Sequence, residues 1–246
     1  MELFSPEYFA FIRNGSLRSA REIVPLVCSI QRPTRVIDVA CGTGEWLQVF
    51  REHGAETVKG VDGSWVDTTM LSISPDEFMV HDIADPLHLD EEFDLALMLE
   101  AVQHVPRDHA AGVVRALTRL APYVLFSAPI PHQGGSGHDA NEQWPAYWAA
   151  HFADNGFACI DLFRRLIWDN EKVEWWYAQN LLLFVDRTEI ANRELLSLAL
   201  QASPGPPQRL IHPKLYESKS IAPEPHQRPW AINRVGKVLQ FGFRMQ

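Results

Sequence analysis

Between Val36 and Leu47 the chain reads Val36-Ile37-Asp38-Val39-Ala40-Cys41-Gly42-Thr43-Gly44-Glu45-Trp46-Leu47. An apolar run ends in an acid, turns through two glycines and opens into a helical pattern. Glycine at 42 and 44 lets the backbone turn tightly and approach a ligand. The helix that follows aims its free N–H groups at whatever the turn holds. Two common nucleotide loops do not fit. A G-x-G-x-x-G fingerprint read from Gly42 needs glycine at position 47, which is Leu47. No Gly-Lys-Ser/Thr follows, so the phosphate-cradling P-loop is excluded.

Further short apolar runs end in acids. Thr57-Val58-Lys59-Gly60-Val61-Asp62 is followed by Gly63, and a strand-terminal carboxylate twenty residues past the glycines is where nucleotide-binding α/β folds grip ribose. Phe78-Met79-Val80-His81-Asp82-Ile83 repeats the form, and Phe93-Asp94-Leu95-Ala96-Leu97-Met98-Leu99-Glu100 does so again. From Thr34 to Ala128 such runs alternate with longer helical stretches, such as Asp108–Leu120 with its spaced Val113, Val114, Leu117 and Leu120. Strand–helix alternation predicts an α/β fold, a mostly parallel sheet with helices on both faces. Ligands bind beyond the carboxyl ends of such strands, which gathers Asp38, Asp62, Asp82 and Glu100 at one edge.

Asp38-x-Ala40-x-Gly42-x-Gly44 resembles motif I of the class I S-adenosylmethionine-dependent methyltransferases, with Ala40 at the usual first glycine. Phe93–Val105 resembles motif IV of the same superfamily. Phe126–Trp144 and Trp175–Asn180 are similar to segments of bacterial small-molecule and polysaccharide-pathway members, and the likeness runs from about Ser19 to Asp186. The resemblance implies a Rossmann-like seven-stranded sheet with an antiparallel edge built from strands at 157–163 and 180–186. It implies S-adenosylmethionine as cofactor. Asp38, Ala40, Gly42 and Gly44 would hold its methionine part, Asp62 and Gly63 the ribose, Asp82 and Ile83 the adenine, and the main chain at Leu99 and Glu100 would flank the methyl group.

The chain has 246 residues, 46% hydrophobic and 22% charged, enough to bury a core without metal or disulfide staples. Its formal charge of −9 argues against nucleic acid, whose affinity comes largely from phosphate contacts. Arg164 and Arg165, read on one strand, make no basic patch. Three cysteines without a CxxC pair predict a reduced, cytoplasmic setting. Cys41 reads as packing. No apolar run is long enough to span a bilayer. The expected partner is a small-molecule substrate, with no nucleic acid and no membrane, on a monomer or homodimer.

Three regions are predicted. Residues 1–33 form a helical lid, with Ser16 capping a helix limited by Pro25 and Tyr8, Phe9, Phe11 and Arg21 as candidate contacts. Residues 34–187 form the catalytic domain. Residues 188–246 add a helix over Glu189–Leu200 and a proline-rich tail from Ser203.

Methyl transfer from a sulfonium is an in-line displacement, so the protein must position the acceptor and remove a proton where one is released. His138 and His132 lie on a glycine-rich loop and have the pKa for that task, with Glu142 to orient either. His104, just past motif IV, is the third candidate base. A metal held by His132, His138 and Glu142 is not favoured, since His-x5-His fixes no ligand geometry; no metal is expected. Gln179 and Asn180 are expected at the rim, and one or two of Trp144, Tyr147, Trp148, Trp175, Trp176 and Tyr177 in the acceptor pocket. The resulting expectation is methyl transfer to an oxygen or nitrogen of a polar sugar or natural-product intermediate. The alternative is a donor-binding partner or scaffold without turnover.

Overall fold

The computed structural model describes residues 6–134 and 141–220, with side chains from Ile12 onward. A long helix α1 (Pro6–Ile30) leads into β1 (Arg35–Val39), α2 (Glu45–Glu52), β2 (Thr57–Asp62), β3 (Phe78–Val80), β4 (Leu95–Leu99), α3 (Ala110–Leu120), β5 (Tyr123–Ser127), α4 (Pro145–Asp154) and β6 (Phe157–Ile160). Then come α5 (Phe163–Ile167), α6 (Trp175–Asn180), β7 (Leu182–Asp186), α7 (Arg187–Ala191) and α8 (Glu194–Ala202). The strands form one seven-stranded sheet in the order β3-β2-β1-β4-β5-β7-β6. Five strands pair in parallel; β7 runs antiparallel to both β5 and β6 and sits one strand in from the edge. This is the mostly parallel α/β sheet that the strand–helix alternation predicts, with the antiparallel end that the family resemblance implies.

The period-2 alternation of each strand divides the core in two. Val36, Leu95, Leu97, Tyr123 and Leu125 face one way and pack with α1 and α2 through Ile23, Val24, Leu47 and Phe50. Ile37, Ala96, Met98, Val124 and Phe126 face the other way, toward α3 and α4 through Val114, Leu117, Trp148 and Phe152. Both faces being covered explains why the central strands are apolar throughout rather than alternating. On the α4 side, the Phe152 and Phe184 rings stack 3.7 Å apart and nearly parallel.

Some local readings change. Helix α1 is continuous, with Ser16 and Pro25 inside it instead of at its ends. Its stripe Ala20, Ile23, Val24 and Val27 is buried. Each large apolar side chain so buried contributes about 1.5–3 kcal/mol, and together they exceed the roughly 3 kcal/mol that an interior proline costs. Arg164 and Arg165 lie on α5, not on a strand, and Arg164 is fully buried. It bonds the Asp161 carboxylate with two nitrogens and the Gln179 and Gln208 carbonyls at 3.1 Å with a third. The helix expected over Glu189–Leu200 is two helices, α7 and α8, divided at Asn192 and Arg193.

A separate unit begins at Pro213. Its described part is helix α9 (Pro213–Lys219), closed by the Ser220 amide on the Tyr216 carbonyl. No described helix is long and apolar enough to cross a membrane.

Candidate active site

The turn after β1 brings its backbone into the left-handed region three times, at Ala40 (φ 65°), Gly42 (φ 56°) and Gly44 (φ 85°). Glycine enters that region freely; alanine there is strained by roughly 1–2 kcal/mol. Two anchors hold the turn. The Ala40 and Cys41 amides both donate to the Val61 carbonyl, at 2.7 and 3.2 Å. The Gly42 amide donates to Oδ2 of Asp62 at 2.7 Å. The other Asp62 oxygen accepts the Gly63 amide and the Trp65 indole N–H, at 2.7 and 2.9 Å.

Beyond the strand ends lies a cavity of about 440 Å³, within the range of small-molecule sites. Asp38, Ala40, Gly42, Asp62, Asp82, Ile83, Leu99, Glu100 and His104 all line it. Gly44 and Gly63 do not. Gly44 is the N-cap of α2. Gly63 is covered by Trp65, whose ring would lie 2.2 Å from any added Cβ. A larger cavity, about 670 Å³, opens between the end of β1 and α3 and excludes Asp38, Asp62 and the glycines of the turn.

The cavity is electrostatically one-sided. Asp38, Glu45, Asp62, Asp82 and Glu100 are on its walls, and no described lysine or arginine is. Asp38 is 2% exposed, and its Oδ1 makes no hydrogen bond among the described residues. Burial, then the charges of Asp62 and Glu45, push its pKa well above the usual carboxylate range. Burial also raises Asp62, against the lowering effect of the Gly42, Gly63 and Trp65 hydrogen bonds. Cys41 is buried and its thiol is pushed up by burial, which suits packing and not nucleophilic work.

Several wall residues escaped the sequence reading. Glu45 collects Thr43 Oγ1 at 2.7 Å, Ser72 Oγ at 3.0 Å and the Arg13 guanidinium at 3.1 Å, tying α1 to the glycine turn. Ile12 and Ser16 of α1, with Trp46 and Tyr177, complete that side. The Ser16 and Tyr177 hydroxyls are 3.3 Å apart, and the Trp46 and Tyr177 rings meet edge-on at 5.2 Å. Burial pushes the Tyr177 hydroxyl up to about 12, so it stays protonated. An acid opening the helix after the glycines is the available signal for Glu45, and Tyr177 is one of the aromatics the sequence places near the acceptor; Ile12, Ser16 and Trp46 are brought in by tertiary packing alone.

On the acceptor side the candidates separate. His104 lines the cavity, with its Nε2 3.3 Å from the Gln103 amide nitrogen. His132 does not line it, and the Glu142 carboxylate accepts the backbone amides of His132 and Gly134 at 2.7 and 2.5 Å. Glu142 therefore pins the loop backbone; no bond to an imidazole is seen among the described residues. His138 lies outside the described residues, as do the side chains of Tyr8, Phe9 and Phe11. Gln179 and Asn180 are not at the rim but buried, 0% and 2% exposed, in a carboxamide network with Gln133. Of the six aromatics expected near the acceptor, Tyr177 alone among the described wall residues reaches the cavity. Trp148 is core, packed on Phe126.

Residues 11–193 match the family described as Methyltransferase domain. The tRNA U34 carboxymethyltransferase of Pseudomonas syringae pv. syringae (strain B728a) is 26% identical over 183 residues, 63% of this chain and 56% of that protein. The chain thus spans just over half the length of that curated relative. Magnesium protoporphyrin IX methyltransferase from Synechocystis PCC 6803, solved with bound SAM, superposes with a TM-score of 0.51 at 22% identity, over 71% of this chain and 81% of that one. The sugar N-methyltransferase of Streptoalloteichus sp ATCC 53650 gives 0.53 at 20% identity, over 73% and 92%. With residues 11–193 matched, the chain belongs to the family described as Methyltransferase domain.

Proposed function

We propose that the cavity holds S-adenosylmethionine and that the protein moves its methyl group to an oxygen or nitrogen of a polar small molecule. The observation that carries this is Oδ1 of Asp38, without a hydrogen-bond partner among the described residues and buried in a cavity ringed by carboxylates. A buried anion without a cation is costly. The donor brings a sulfonium and an ammonium, and both suit that field. When bound, it supplies an already activated methyl group.

The protein's part is then positional. Asp38 and the glycine turn hold the amino-acid end. Asp62, whose Oδ2 carries one protein hydrogen bond, keeps capacity for a ribose hydroxyl. Asp82 and Ile83 flank the base. Helix α1 covers one wall through Ile12 and Ser16 and excludes water. His104 takes the proton that the acceptor releases. The Pseudomonas relative is a tRNA carboxymethyltransferase; here the −9 charge and the acid-lined cavity oppose a polyanionic acceptor.

Incubation with methyl-labelled S-adenosylmethionine and a panel of hydroxyl- and amine-bearing small molecules tests the reading. The expected result is labelled product with stoichiometric S-adenosylhomocysteine, and a His104→Gln variant slower by roughly 100-fold or more with unchanged donor affinity. Donor binding without transfer to any acceptor would favour the scaffold reading instead.

A further inference from the structure

The cavity of about 670 Å³ lies between the loop after β3 and helix α3, and shares only Ile83 and Ala84 with the lining of the acid-walled cavity. That volume is ordinary for a small-molecule site. The loop wall is held by its own hydrogen bonds. The His81 amide donates to the Asp62 carbonyl at 2.8 Å, and the Asp85 amide to the Asp82 carbonyl at 2.9 Å. Oδ1 of Asp82 accepts the Ala84 amide at 2.9 Å. Val39 and Leu87 face Val113, Ala116 and Leu117 of α3 across an apolar interior.

The charge of this lining is the reverse of the other. The first cavity carries carboxylates and no described lysine or arginine. Here two acids, Asp85 and Asp108, stand against Arg115, Arg119 and three histidines, His81, His88 and His109. Asp108 precedes α3, seven residues before Arg115, so a rise of roughly 1.5 Å per residue keeps the acid away from the arginines. Arg115 and Arg119 are exposed and one helical turn apart, a spacing at which like charges repel. Neither guanidinium has an ion pair among the described residues. An oxyanion between them would relieve that repulsion and match the guanidinium fork.

A second observation comes from Gly112, inside α3 and on the same lining. Glycine is the poorest helix former after proline. Its backbone here is ordinary right-handed helix, and a Cβ added to it meets no atom within 4 Å. Neither conformation nor packing among the described residues calls for glycine. What its absent side chain does is leave the cavity open against the helix backbone.

We propose that this cavity is a second ligand site, for a small amphipathic anion. The apolar body of the ligand lies against α3 at Gly112, between Leu87 and Val113. Its carboxylate, phosphate or sulfonate group is held by Arg115 and Arg119. The site is separate from the methyl-donor cavity and stands whether or not that cavity takes the donor.

The test is fluorescence titration of the full chain with two dyes, anilinonaphthalene sulfonate and its uncharged counterpart N-phenylnaphthylamine, each with and without S-adenosylhomocysteine. The sulfonate is expected to bind saturably, one per chain, whether or not S-adenosylhomocysteine is present. The uncharged dye should bind at least roughly 10-fold more weakly. Joint replacement Arg115→Gln and Arg119→Gln should weaken the sulfonate roughly 10- to 100-fold and leave the uncharged dye within a few-fold. Gly112→Leu should weaken both dyes while melting no lower than wild type, because leucine is the better helix former. Equal affinity for the two dyes, no saturable sulfonate binding, or sulfonate affinity unchanged in the arginine variant would overturn the proposal. Displacement of the sulfonate by S-adenosylhomocysteine would also overturn it, by putting the dye in the other cavity.

Discussion

Oδ2 of Asp62 accepts the Gly42 amide at 2.7 Å. The carboxylate that ends β2 therefore closes the glycine turn after β1, twenty positions earlier, besides facing the cavity. One residue links the two halves of the proposed donor site. Asp62→Ala removes a charge-assisted hydrogen bond to the turn and a ligand contact together. Donor affinity is expected to fall about 10- to 100-fold, with a stability loss of about 1–3 kcal/mol; calorimetry and thermal melting read the two effects separately.

Asp38 makes one contribution to the pH dependence, and Asp62, also raised by burial, adds to it in the same direction. Burial raises the folded pKa of Asp38 above that of the unfolded chain. The folded protein therefore holds a proton that the unfolded chain has released, and stability without donor declines as pH rises from about 4 through the raised value, then levels off. Asp38→Asn removes that penalty. Above the window the ligand-free variant should melt higher than wild type, by roughly 2–4 °C per kcal/mol recovered, while its donor affinity falls. In the wild type, donor affinity should drop as acid protonates Asp38. Melting and titration across pH measure both trends.

Ala40 occupies a left-handed position at φ 65°. Replacing it with glycine relieves roughly 1–2 kcal/mol of strain and loses about 0.4–1 kcal/mol to unfolded-state entropy. Ala40→Gly should be more stable than wild type by up to about 1 kcal/mol. Chemical denaturation would show a higher midpoint at unchanged slope.

Arg164 is buried and bonds the Asp161 carboxylate and two carbonyls. Arg164→Ala strands the remaining carboxylate and both carbonyls. Breaking a buried pair in this way costs about 3–5 kcal/mol. Arg164→Lys cannot reproduce the fork and should recover only part of it. Equilibrium unfolding of both variants would measure the difference.

The frame of the site is written locally in the chain, and its lining is not. Asp38, Asp62 and Glu100 stand at the ends of apolar runs, and Asp82 stands two residues past one, so the parallel-sheet rule alone puts them at one edge. Ser16, Trp46 and Tyr177 come from elements far apart in sequence, and only packing of α1 and α6 brings them to the cavity. Gln179 and Asn180 look like rim residues because polarity suggests exposure; both donate to Gln133 Oε1, and the network satisfies them in the interior. Arg164 reads as part of a strand but lies on α5, where Asp161 three residues earlier satisfies its charge inside the fold. Pro25 reads as a helix end, but the buried stripe around it outweighs one missing hydrogen bond.

The most direct measurement is calorimetric titration of the full chain with S-adenosylmethionine near neutral pH, beside Asp38→Asn and Asp62→Ala. One donor per chain, bound tightly by the wild type and at least roughly 10-fold more weakly by each variant, is the predicted result. No binding by the wild type, or equal binding by all three proteins, would contradict the assignment of the acid-lined cavity as the donor site.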